Sequence, residues 1–104
     1  MIKHLEREDN LGEIKKGKKV LVDYFATWCM PCKMIAPILE EVVEEDKEIT
    51  IVKVDIDDFE QEAMMDGIRS VPTLIFYKEG KEVKRVSGVH TKEEILDIMN
   101  KYNG

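Results

Sequence analysis

Residues Lys19 to Thr27 alternate so that Val20, Val22, Tyr24 and Ala26 point one way and Leu21, Asp23, Phe25 and Thr27 the other, with both faces largely apolar. Such a run predicts a central strand covered on both sides. It gives way at once to a helical pattern from Met30 to about Asp46. There Cys32, Ile35, Ala36, Leu39, Val42 and Val43 recur at helical spacing, and Glu40, Glu41, Glu44 and Glu45 take the wetter flank. A second β-rich run, Ile49 to Ile56, follows. Lys19 to Ile56 is therefore a βαβ unit, whose two strands must run parallel and whose crossover is almost always right-handed. Pro31 falls in the first helical turn, where its missing N–H costs nothing. Pro37 falls inside the helix and predicts a kink.

The flanking segments fit around this unit. Ile2 to Leu5 reads as a short edge strand, and Glu8 to Lys16 as a weakly amphipathic helix stopped by Gly17. Asp58 to Asp66 reads as a short helix ended by Gly67. Thr73 to Lys78 is a third strong strand, and Glu79-Gly80 turns it into Val83 to Ser87 as an antiparallel hairpin. Gly88 then predicts a bulge or a close backbone approach. Thr91-Lys92-Glu93-Glu94 matches a capping box, and Ile95, Ile98, Met99 and Tyr102 give the last helix its apolar face. With 104 residues and no linker or repeat, the chain reads as one domain, residues 1–104, large enough to hold a core without staples.

The chain has only two cysteines, and both stand where the first strong strand meets the helix, in Trp28-Cys29-Met30-Pro31-Cys32-Lys33. Cysteines at i and i+3 on a first helical turn have Cα atoms roughly 5 Å apart, within disulfide range. The pair can open and close with little backbone movement. A helix N-terminus favours thiolate over thiol, which makes Cys29 the candidate nucleophile. A net charge of −6 disfavours nucleic-acid phosphates and anionic membranes. No segment approaches ~18 consecutive apolar residues, and Met1 to Asn10 has no apolar leader region, so a cytoplasmic protein is expected. In a reducing cytosol a lone Cys-x-x-Cys is catalytic or metal-binding before it is structural. His4 and His90, at opposite ends of the chain, do not complete a zinc finger, so no metal is expected.

Asp23 shares its strand face with Leu21 and Phe25, which predicts burial and a raised pKa. A carboxyl near neutrality can exchange a proton with the inner thiol, Cys32. Lys53, in the adjacent apolar strand, either extends toward Asp23 and modulates it or carries its ammonium to the surface.

Val22-Asp23, the Trp28 to Lys33 stretch and Gly67-Ile68-Arg69-Ser70-Val71-Pro72-Thr73 occur in the order and context in which this chain resembles the thioredoxin family, over essentially its whole length. Met30 departs from the glycine usual there, and Phe25 stands where the family often has a second tryptophan. The resemblance implies a thioredoxin fold: an α/β domain with a central mixed sheet of four to five strands and helices on both faces. It supports Asp23 as the proton acceptor for Cys32, and implies a cis Val71-Pro72 bond facing the cysteines, with the Val71 backbone free to pair with an extended substrate. Trp28, Met30, Val71, Pro72, Gly88 and Val89 would then ring the sulfurs with apolar surface. The activity implied is reduction of protein disulfides by a monomer that binds no cofactor and is recharged by a thioredoxin reductase. A protein-disulfide oxidase or isomerase is the alternative, but those relatives commonly carry His where this chain has Pro31. A non-catalytic interaction module would tolerate loss of both cysteines.

Overall fold

The computed structural model describes residues 1–101. Tyr102, expected on the last helix, lies outside them. In chain order the elements are β1 (Ile2–His4), α1 (Leu11–Ile14), β2 (Lys19–Phe25), α2 (Met30–Glu45), β3 (Thr50–Asp55), α3 (Glu60–Met65), β4 (Thr73–Lys78), β5 (Lys81–Ser87) and α4 (Lys92–Lys101). Among the described residues the five strands form one sheet in the order β1-β3-β2-β4-β5. Its β1, β3 and β2 run parallel, while β4 is antiparallel to both β2 and β5. The sheet is thus mixed, as the βαβ unit followed by a hairpin requires.

The alternation along β2 sorts the two cores. Val20, Val22 and Tyr24 pack with Val52, Val54 and Ile75 beneath Leu11 of α1 and Ala63 of α3. On the opposite face, Leu21, Ile51, Leu74 and Phe76 meet Ile35, Leu39 and Val42 of α2 and Ile95 and Met99 of α4. Every one of these α2 and α4 residues is fully buried, each contributing about 1.5–3 kcal/mol of transfer energy. Pro37 stands inside α2, and the helix nonetheless continues from Met30 to Glu45.

Several boundaries differ from expectation for local reasons. The first helix is confined to Leu11–Ile14. Glu6 and Asp9 form their own turn, in which the Glu6 N–H donates to Asp9 Oδ2 at 2.8 Å, and Asn10 caps the helix by accepting the Glu13 N–H at 3.1 Å. Short polar side chains offer the backbone these alternatives to a helix. Strand β2 stops at Phe25, because the Cys29 N–H bonds back to the Ala26 carbonyl at 3.2 Å and turns the chain toward α2.

Gly88 makes neither a bulge nor a close approach. It has φ +85°, has open space where a Cβ would stand, and donates its N–H to the Pro72 carbonyl at 2.9 Å. The irregularity in the hairpin falls instead between Phe76 and Tyr77, which pair with Lys84 and Glu82 and so leave Val83 as the extra residue. The capping box is present as read: Glu94 N–H donates to Thr91 Oγ1 at 3.1 Å, and Thr91 N–H to Glu94 Oε1 at 2.8 Å.

The end of α3 aims the segment that follows it. Gly67, at φ +69°, donates to the Met64 carbonyl at 3.0 Å, and the Ile68 N–H to Ala63 at 2.9 Å, the paired bonds of a Schellman motif. Beside it the buried Tyr24 hydroxyl donates to the Asp66 carboxylate, which also pairs with Lys15 at 2.9 Å. Burial and the neighbouring Asp66 push the Tyr24 phenol well above its ordinary range, so it remains a donor. The chain thus leaves α3 in a fixed direction and carries Val71 and Pro72 back toward the sheet.

Candidate active site

The two sulfurs lie at the carboxyl ends of the parallel strands. Cys29 is the N-cap of α2, with extended backbone at φ −89° and ψ 113°, and its Sγ accepts the Cys32 N–H at 3.2 Å. A sulfur in this position takes over one of the amide donors that a helix start leaves unpaired, an arrangement that favours its anion. The cysteines are disulfide-bonded with Cα atoms 5.3 Å apart, within the ordinary range for a disulfide. Both are buried, Cys29 at 4% and Cys32 at 5% exposure, among Ala26, Phe25, Ile56 and Val71. Exposure therefore does not rank them; the amide bond to Cys29 Sγ does.

Asp23 lies on the same face of β2 as Leu21, beneath α2, and is fully buried. Neither carboxylate oxygen has a hydrogen-bond partner among the described residues. Its register partner in β3 is Lys53, whose Nζ lies 3.9 Å from Asp23 Oδ2 and 5.1 Å from the centre of the Phe25 ring. Burial pushes the Asp23 carboxyl up from 3.8 to about 6, with the Lys53 ammonium opposing that rise. Lys53 thus lies alongside Asp23, its ammonium at ion-pair distance with no hydrogen bond between the two. A cavity of 280 Å³ is lined by Lys53, Phe25, Ala36 and Cys32. The inner cysteine and the lysine that pairs with Asp23 therefore open onto one space.

The Val71-Pro72 bond is cis. The Val71 carbonyl oxygen lies 3.6 Å from Cys29 Sγ. Around the sulfurs the expected ring is only partly surface. Trp28 at 67%, Met30 at 65% and Val89 at 42% exposure face solvent, and Val71 and Gly88 are half-buried. Pro72 is buried and contributes little surface: it leads directly into β4, and its carbonyl is occupied by the Gly88 N–H. Pro31 lies exposed in the first turn of α2.

Two features of the site escape a reading of the sequence. Asp57 accepts a hydrogen bond from Trp28 Nε1 at 3.0 Å and fixes the indole beside the cysteines. A groove of 290 Å³ also runs from Trp28 past Ile56 and Ile68 to Arg69, Ser70 and Val71. The run Asp55-Ile56-Asp57-Asp58 carries no local sign of either role, since it has the composition of any solvated turn after a strand.

This geometry agrees with three comparisons. A family model described as Thioredoxin matches residues 2–101. The chain is 40% identical over 102 residues to a thioredoxin of Chlamydia trachomatis, covering 98% of this chain and 99% of that one. It is 51% identical over 73 residues to thioredoxin-2 of Saccharomyces cerevisiae, covering 70% of each. Among solved structures, a single-site mutant of the thioredoxin from Halobacterium salinarum NRC-1 superposes with a TM-score of 0.88 at 28% identity, over 99% of this chain and 91% of that one.

Proposed function

This chain belongs to the thioredoxin family and is a thiol-disulfide oxidoreductase that reduces protein disulfides; from that premise we propose that Cys29 is the attacking sulfur, Cys32 the resolving one and Asp23 the group that takes the Cys32 proton. The Cys29 thiolate attacks one sulfur of a substrate disulfide, so that a Cys29-substrate bond forms as the substrate S–S bond breaks and one substrate thiolate leaves. Cys32, its proton passed to Asp23, then attacks Cys29 Sγ. The mixed disulfide breaks, the second substrate thiolate departs, and the two electrons of the dithiol have moved to the substrate. Asp23 suits this step because a carboxyl held near 6 is largely ionised at neutral pH and yet basic enough to accept a thiol proton. Lys53, opening onto the same cavity as Cys32, modulates Asp23.

The observation that carries the assignment is the hydrogen bond from the Cys32 N–H to Cys29 Sγ at the N-terminus of α2. An extended substrate segment lies against the Val71 backbone, between the exposed faces of Trp28, Met30 and Val89. Regeneration requires a reductase, which we assign to the thioredoxin reductase class, and since the dithiol itself stores two electrons no bound cofactor is needed. No helix among the described residues is long and apolar enough to cross a membrane. We place the chain's work in the cytoplasm, as a monomer acting on disulfide-containing proteins and not on nucleic acid or membranes.

A redox titration against glutathione tests the direction of transfer. The expected midpoint lies on the reducing side of the glutathione pool. A midpoint near the roughly −180 mV of protein disulfide isomerases would instead favour the oxidase or isomerase reading, in which Pro31 would have to do without the usual histidine.

Met30 sets partner preference. Its thioether has no charge and donates no hydrogen bond, so it does not stabilise a thiolate as a cation would. It does present a flexible apolar side chain beside the attacking sulfur. Burying that side chain against a protein substrate contributes up to about 1.5–3 kcal/mol, less the entropy of ordering it. Met30→Gly is accordingly expected to slow transfer to protein disulfides more than to glutathione disulfide. The reduction potential should move by less than about 30 mV, equivalent to ~1.4 kcal/mol for two electrons. Measuring the potential with both transfer rates decides the matter: a large potential shift with equal loss on both substrates defeats the contact.

A further inference from the structure

Five of the six methionines are solvent-exposed: Met1, Met30, Met34, Met64 and Met65, at 59% to 86%, while Met99 is fully buried. Methionine is ordinarily a core residue. Two of the exposed ones, Met30 at 65% and Met34 at 59%, are four apart on α2 and so lie on one face, beginning beside the redox pair. In the disulfide state this reverses the accessibility of sulfur at the site, because Cys29 and Cys32 are nearly closed off while the Met30 thioether stands open. We propose that Met30 is a peroxide-oxidised modification site whose sulfoxide selectively blocks reduction of protein disulfides. This rests on the reading of Met30 as a substrate contact.

In the step itself the peroxide transfers one oxygen to the thioether. A sulfur–oxygen bond forms, the O–O bond breaks, the thioether loses two electrons, and the peroxide leaves as water or an alcohol, with no other reductant or oxidant required. The order of events follows from reactivity, because a thiolate is a stronger nucleophile than a thioether. In the dithiol state peroxide is consumed at the Cys29 thiolate, giving a sulfenic acid that Cys32 condenses to the disulfide with loss of water. When the disulfide is not being re-reduced, further peroxide is left to the thioethers. The sulfoxide therefore records an interval in which oxidant outran the reductase. It replaces an apolar contact with a strongly polar oxygen, which a protein substrate would have to desolvate. A small disulfide, which does not reach across Met30, is unaffected. Methionine sulfoxide reductase activity reverses the change.

The test treats the disulfide form with hydrogen peroxide, maps oxygen incorporation by peptide mass spectrometry, restores the dithiol with dithiothreitol, and measures reduction of insulin and of glutathione disulfide. Oxygen is expected on Met30 and Met34 and not on Met99. The insulin rate should fall by on the order of tenfold, the equivalent of losing one buried apolar side chain, with the glutathione rate unchanged and the loss reversed by a methionine sulfoxide reductase. Each variant is scored by its treated rate relative to its own untreated rate: Met30→Leu is expected to escape the loss, and Met64→Leu/Met65→Leu to show it in full. Absence of oxygen on Met30 under conditions that modify Met64 overturns the proposal and leaves the contact reading intact. Oxidised Met30 with an undiminished insulin rate overturns both.

Discussion

Cys29→Ser is expected to abolish reduction of protein disulfides entirely, whereas Cys32→Ser should attack a substrate once and stop as a stable mixed disulfide. The asymmetry follows from the helix start. Cys29 Sγ is held by a backbone amide, that of residue 32, and a serine at position 32 retains that amide. Cys32→Ser thus loses the resolving thiol but keeps the group that stabilises the Cys29 thiolate, so its alkylation rate should still rise at a pH below that of an ordinary thiol. In Cys29→Ser the remaining thiol is buried beneath the first turn and has no such donor among the described residues. Substrate trapping followed by mass spectrometry distinguishes the variants. A mixed disulfide through Cys32 in Cys29→Ser, with none through Cys29 in the converse protein, would reverse the roles. Trp28, the single tryptophan, is pinned to Asp57 beside the cysteines, and its fluorescence is expected to follow the redox state.

Asp23→Asn should raise stability at neutral pH and slow the chemistry. Burial lifts the carboxyl from 3.8 to about 6. At about 1.4 kcal/mol per pH unit, holding the charged form in the folded state near pH 7 costs roughly 3 kcal/mol, an upper figure because the substitution would leave Lys53 without its counter-charge. The sign is fixed by which state keeps the proton. Below about 3.8 both states are protonated and the native state has its full stability. Between there and about 6 the unfolded chain releases its proton first, and stability falls as pH rises. Above about 6 the loss is complete and constant. The wild-type and Asp23→Asn melting temperatures should therefore converge at acid pH and separate toward neutrality. In kinetics the expected effect is on resolution of the mixed disulfide, with the first attack little changed. An unaltered melting temperature at pH 7 together with normal turnover would remove Asp23 from the mechanism.

The two predictions draw on different sources. The first is already legible in Trp28 to Lys33, because an i, i+3 cysteine pair at the junction of a strand and a helix determines both the disulfide and the direction of the amide donors through local geometry alone. The second needs the alternation of β2 to bury Asp23, which the sequence supplies, and then a strand distant in sequence to bring Lys53 opposite it, which it does not. Parallel register aligns Asp23 with Lys53, and no local rule states which residue of β3 faces which of β2.

The misreadings share one origin. Gly88 reads as a bulge because a glycine interrupting a strand pattern has that local meaning. Its actual arrangement, an N–H bonded to the Pro72 carbonyl at a residue of positive φ, exists only once β4 and β5 are paired. Pro72 reads as docking surface because it neighbours the site, yet packing at the head of β4 buries it. Asp57 gives no signal because its partner, Trp28, is far away along the chain.

By itself, then, the sequence determined what depends on neighbours within a turn or a pleat: the βαβ unit, the two faces of β2, the helix-mounted cysteine pair, the capping box at Thr91 and the burial of Asp23. Tertiary structure alone decided what depends on separate segments meeting in space: the Asp23–Lys53 register, the Trp28–Asp57 bond, the groove from Trp28 to Val71, and which of the flanking residues are surface. The physical reason is range. Hydrophobic periodicity and capping act over a few residues and leave their mark in the sequence, whereas pairing register and side-chain burial at the site are set by the packing of whole elements against one sheet.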